Sequence, residues 1–239
     1  MTNSTRSFYS VAAALNLLIM AVGFMPFYTS GHGQGGRVIA PEIFALVAVH
    51  GLAITAWYVL SLVQSLLITV SNRRLHMKLG WSAVGLGVVI TLTGAMVALR
   101  SVQGAPEFVF FSMPYPEFLL VMFAEIAAFT VFLIAGLVTR KRPATHRSMM
   151  LLASLSLLLG ATARIPFLTE LFGGDNRLGF YGPVFALGIL FLLVRYLVTR
   201  TCDTRFATGH ALMMIAYFGA EQLSRTATWR HLATTLLTV

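Results

Sequence analysis

Seven long apolar runs, parted by short polar spacers, account for most of this 239-residue chain. They fall at about 8–29, 42–70, 80–99, 118–139, 149–166, 180–199 and 207–224. A membrane-spanning helix needs roughly 20 mostly apolar residues, and each run meets or approaches that length. The hydrocarbon core of a bilayer offers no water, so backbone polar groups there must be satisfied within their own segment, which selects helices. A membrane β-barrel would show short alternating segments, and these runs do not alternate. The expected fold is all-α, a polytopic membrane bundle of seven transmembrane helices. No linker is long enough to divide it, so one transmembrane domain covers 1–239.

The charges set an orientation. Nine of the seventeen Lys and Arg residues sit in three spacers: Arg73, Arg74 and Lys78, then Arg140, Lys141, Arg142 and Arg147, then Arg200 and Arg205. The intervening spacers hold most of the acids, Glu42, Glu107, Glu117, Glu170 and Asp175. That alternation is what the positive-inside rule predicts. With Arg6 also inside, the N-terminus is cytoplasmic and seven spans leave the C-terminus outside. The net charge of +9 does not point to nucleic acid, because the basic side chains flank membrane segments, where they meet anionic headgroups. The first run is longer than a signal-peptide core and no small-residue cleavage site follows it, so it reads as an uncleaved anchor. Cys202 is the single cysteine and cannot form a disulfide within one chain.

Turn-forming residues punctuate the spacers. Pro41 opens the second helix, as proline does at a first turn, and Gly31, Gly33, Gly35 and Gly36 make the first outer loop flexible. The loop at 100–117 carries Phe108, Phe110, Phe111 and Tyr115, which predicts a stretch lying at the outer interface. Residues 225–239 read as an amphipathic tail on the same surface. In the third helix Ala83, Gly87, Thr91 and Ala95, with Gly94 and Ala98 nearby, form a small-residue stripe that predicts a packing seam. Three inner spacers each place one histidine where the next helix begins: His76, His146 and His210. This suggests three similar hairpins after a leading helix.

Ionisable groups inside spans are costly and are functional candidates by default. His50 in the second helix lies nine residues, or about 13 Å, from its outer end at the helical rise. Glu125 in the fourth lies at similar depth, and Arg164 sits near the outer end of the fifth. If those helices are neighbours, the three form a cluster in the outer half. His50, Trp57 and Gln64 are seven apart, with Ser61 on nearly the same face, so they line one stripe. Such a stripe belongs in the bundle interior, as a cofactor pocket or as interhelical hydrogen-bonding glue.

His76, His146 and His210 share one depth on three helices, an arrangement able to bind a transition metal through neutral imidazoles or to ligate haem b near the cytoplasmic face. Met77, Met149, Met150, Met213 and Met214 lie close enough in sequence to add soft ligands. The plainer alternative is that these side chains meet headgroups and lipid. No lysine occurs within a span, which excludes a retinal Schiff base. Phosphate-loop, HExxH and GxSxG patterns are absent, and broken helices with paired halves, the transporter pointer, are not evident.

The segments HGLAITAW, Gln64, RRLHMKLGW, RKRPATHRSMMLLASLSLL and ATARIP resemble those of a family of multi-pass inner-membrane proteins from proteobacteria. The resemblance spans roughly 26–166 and falls on His50, Trp57, Gln64, His76, His146 and Arg164. It implies a bacterial inner-membrane location and the bundle architecture. The family carries no established activity, so no mechanism is implied.

The leading functional expectation is a haem- or metal-binding redox protein in the lipid bilayer, with quinone as a possible partner. His76, His146 and His210 would be metal ligands, and His50, Trp57, Gln64, Glu125 and Arg164 would line a cofactor or proton-handling site. A non-catalytic subunit of a larger membrane complex is one alternative, and a carrier of small molecules or lipid is another.

Overall fold

The computed structural model describes residues 3–33 and 37–238, and Gly35 and Gly36 of the glycine-rich first loop lie outside them. The described chain is almost wholly helical. Five helices are long and apolar enough to cross a membrane: α1 (Asn3–Ser30), α2 (Pro41–Thr69), the nearly continuous pair α3 (Arg73–Gly80) and α4 (Ser82–Gln103), α5 (Tyr115–Val138) and α9 (Arg177–Thr199). Two further helical stretches run between the same ends of the bundle. One is α6 (Pro143–Ser156) continued by α7 (Leu159–Thr162), broken at Leu157 and Leu158; the other is α10 (Thr204–Ser224). Neither joins the five, because α6 is 14 residues long and α10 carries too much polar sequence.

Local chemistry explains the boundaries. Pro41, Pro143 and Pro166 stand in the first turn of α2, α6 and α8 (Pro166–Leu171), where a missing N–H costs nothing. Side chains of Asn72, Asn176 and Asp203 accept from Leu75, Gly179 and Phe206 backbone N–H groups and so cap α3, α9 and α10.

The three basic spacers converge on one end of the bundle. Arg6 donates to Ser71 Oγ at 3.1 Å, tying α1 to the first. Tyr9 donates to Asp203 Oδ2 at 3.1 Å and lies beneath the Arg147 guanidinium, 5.4 Å from its ring centre, reaching the third and second. Asp203, only 5% exposed, also accepts from Ser148 Oγ at 2.7 Å and pairs with Arg195 at 2.7 Å. One carboxylate therefore joins α1, α6, α9 and α10.

The opposite end is closed differently. Strands β1 (Val109–Phe110) and β2 (Met113–Pro114) form an antiparallel hairpin. Its Phe111 and Met113 are buried, and Phe111 packs on Phe180, ring centres 5.4 Å apart. The aromatic loop thus caps the bundle through Phe111 and Met113, because the hairpin turns Phe111 inward while Phe108 and Val109 stay exposed. The tail forms α11 (Ala227–Thr238), whose Trp229 Nε1 donates to Pro116 O at 3.0 Å. The small-residue stripe of α4 packs as a seam on α5: the Leu133 side chain occupies the space a Gly87 Cβ would need, and Thr91 bonds Thr130 at 2.9 Å.

Two outcomes are expected. Asp203→Ala leaves Arg195 buried without its partner, a loss of about 3–5 kcal/mol, read as a fall in thermal unfolding temperature in detergent. At Gly23 an added Cβ would fall under 3.0 Å from the Ala161 backbone, so Gly23→Ala should cost about 1–3 kcal/mol through overpacking in the same assay.

Candidate functional site

The polar stripe of α2 does face the bundle interior. Trp57 is 1% exposed, and its Nε1 donates to Ser154 Oγ at 3.1 Å. Ser61 Oγ lies 3.4 Å from the same hydroxyl. One turn further, the Gln64 carboxamide is enclosed with neither its oxygen nor its nitrogen partnered, while the Gln64 backbone carbonyl takes a hydrogen bond from His76 Nδ1 at 3.3 Å.

His76 and His146 come together beside this stripe, ring centres 6.3 Å apart and planes nearly perpendicular. Nδ1 of His146 lies 2.7 Å from Gly136 O. A carbonyl can only accept, so each Nδ1 carries a proton, and the tautomer with the lone pair on Nε2 is the one these contacts select. Fixing the tautomer through Nδ1–H is how proteins orient imidazoles that ligate metals. Met150 Sδ packs on Gly136, 2.7 Å from where a Cβ there would stand, and so adjoins the carbonyl that anchors His146. Met77 points outward and Met213 is sealed in the core.

His210 does not share this setting. Its Nε2 donates to Phe185 O at 3.2 Å, its ring stacks on Phe206, and it fills the space left by Gly188. Among the described residues no three His, Cys, Asp or Glu side chains are grouped to hold a metal. The structure therefore pairs two of the three histidines of the basic spacers and gives the third a packing place.

The expected cluster of His50, Glu125 and Arg164 is likewise divided. His50 Nδ1 lies 2.9 Å from Thr93 Oγ1 on α4. Glu125 instead faces Arg164 within electrostatic range. Within 4 Å, the ion pairs among the described residues fall on Asp203 and Glu221, not on Glu125.

Glu125 and Arg164 border the break between α6 and α7, a broken segment where continuous helix was expected. Leu158 N turns back to Leu155 O, so the Ser154 carbonyl loses its intrahelical donor, and Tyr58 supplies one at 2.7 Å. Arg164 N likewise turns to Ala161 O, and the Arg164 side chain donates to the freed Gly160 carbonyl. Tyr217 donates to Ser156 O at 3.2 Å. Freed carbonyls at membrane depth need such partners.

Tyr58, Tyr217, Ser154 and Asn16 were not singled out by sequence reasoning. Asn16 is fully buried with both amide atoms unpartnered. It shares a face of α1 with Met20 and Gly23 (i, i+4, i+7), and Gly23 abuts Ala161, so Asn16 is turned toward the α6–α7 segment. Its signal was a lone amide in an apolar run, the same signal that marked Glu125.

No protein-family model matches the chain, and neither a curated protein nor a solved structure does.

A buried amide that only packs is a liability. Asn16→Leu should therefore raise the thermal unfolding temperature, and a fall would mean that the amide holds a partner of its own.

Proposed function

We propose that this chain is a seven-span membrane protein of the bacterial inner membrane, N-terminus in the cytoplasm, that binds a transition metal or haem iron between His76 and His146 and takes part in electron transfer. We further propose that it belongs to the multi-pass inner-membrane family its motifs resemble. Five apolar helices, with α6–α7 and α10 running between the same ends, support the span count. The convergence of the three basic spacers with Arg6 supports the orientation.

The observation that carries the redox reading is the histidine pair. With metal–nitrogen bonds of about 2.0–2.1 Å, two imidazoles on opposite sides of one ion have ring centres roughly 6–6.5 Å apart, and the two rings here stand 6.3 Å apart. Both Nδ1–H groups are held by carbonyls, which leaves the Nε2 lone pairs for the ion. A bound iron or copper would supply the one-electron chemistry that no side chain here offers. The chain's own part is to fix the two tautomers, to exclude water from the Trp57–Ser154 side, and to present the Met150 thioether, which favours the softer oxidation state of copper.

Purified in mild detergent after expression with iron and copper supplied, the protein is expected to carry stoichiometric metal or a Soret band that shifts on reduction. His76→Ala and His146→Ala should each abolish the signal, whereas His210→Ala should retain it. A wild-type protein free of metal and haem would overturn the reading, as would retention of the signal in both single variants.

A further inference from the structure

At the end of the bundle opposite the basic spacers, a cavity of about 390 Å³ opens between α1, α8 and the hairpin, within the range of about 300–1,000 Å³ usual for small-molecule sites. Pro26, Phe27, Phe111 and Pro166 give it apolar walls. Arg164 is the one strong cation among the described lining residues, with Thr169 and His32 as further polar lining. Among the described lining residues Asp175 is the only carboxylate, and it is solvent-exposed, where water and salt screen it.

Arg164 is equipped to receive a ligand. A guanidinium carries five N–H donors, and here one nitrogen, Nη1, serves the Gly160 carbonyl. The face of the group rests on Phe24, 4.7 Å from the ring centre. No other acceptor among the described residues takes its remaining donors, and the half-buried side chain lines the cavity. Its balancing charge, Glu125, interacts across space without closing an ion pair. The planar fork is thus held by its stem and its ring contact while its free edge faces the cavity.

We infer that this cavity binds a small organic acid with an apolar tail, its carboxylate taken by the free edge of Arg164 and its tail by the aromatic and proline walls. A guanidinium matches a carboxylate in a two-bond geometry that a lysine cannot reproduce. The ligand can arrive from the aqueous phase or as a fatty acid from the leaflet; the chemistry is the same. This site is separate from the histidine pair and does not depend on it.

The test uses the full chain in phosphatidylcholine nanodiscs with two carboxyl-¹³C probes, octanoate added to the buffer and oleate incorporated in the bilayer. A saturable bound carboxyl resonance with octanoate indicates the aqueous source, and with oleate alone the lipid source; either supports the inference. Arg164→Lys should weaken binding about tenfold, as expected when a paired charge-assisted contact becomes a single one. Because Arg164→Gln alone would strand Glu125, the double variant Glu125→Gln/Arg164→Gln removes both charges together and should abolish the bound resonance. Ala163→Leu, which fills the cavity and keeps the arginine, should abolish it too. Absence of a bound resonance for both probes in the wild type, or its persistence in both the double variant and Ala163→Leu, would overturn the inference.

Discussion

The buried carboxylate of Asp203 is the contact on which the arrangement of the helices rests. Four groups from four helices meet it: the Tyr9 hydroxyl, the Ser148 hydroxyl, the Arg195 guanidinium and the Phe206 amide. An isolated charge in such a place would cost several kcal/mol, so the carboxylate holds its partners as firmly as they hold it. The same principle operates at the far end, where Glu221, 2% exposed, pairs with Arg177 at 2.8 Å and with Arg225. Each knot ties α10 to α9. Since lipid provides no hydrophobic drive between spans, polar knots of this kind and close small-residue seams are what remain to select one packing.

Between the knots, the break in α6–α7 sets the chemistry. Interrupting the helix frees the Ser154 and Gly160 carbonyls, and Tyr58 and Arg164 are drawn in to satisfy them. This places Arg164 with one edge engaged and one edge free, beside Glu125. The histidine pair arises by a related route. The Gln64 and Gly136 carbonyls near the basic-spacer ends of α2 and α5 accept from His76 and His146, which turns both rings to a common place. In both regions a backbone carbonyl fixes a side chain whose other polar atoms are left for something else.

Much of this was legible in the residues. The apolar runs locate the long helices to within a few positions, because length and hydrophobicity alone decide spanning. The Gly87 seam and the inward stripe of Trp57 and Gln64 follow from helical spacing. Tertiary placement was not legible. Depth along a helix groups His76, His146 and His210, but rotation about the axis separates them: His210 faces Gly188 and Phe185. His50 and Glu125 share a depth, yet His50 turns to Thr93. The role of Asp203 was hidden because a lone acid beside Cys202 in a basic spacer looks like surface charge. The break at Leu157 and Leu158 left no mark, since no glycine or proline occupies those positions.

The histidine pair faces the cytoplasm and the Arg164 cavity the outer side only if the basic end of the bundle is cytoplasmic, and that orientation is the central claim of the topology. Cys202 is the single cysteine of the chain and is exposed in the third basic spacer, so it reports orientation without any substitution. A membrane-impermeant maleimide is expected to leave it unlabelled in intact spheroplasts and to label it fully once the membrane is opened. Full labelling in intact spheroplasts would contradict the account and invert its topology.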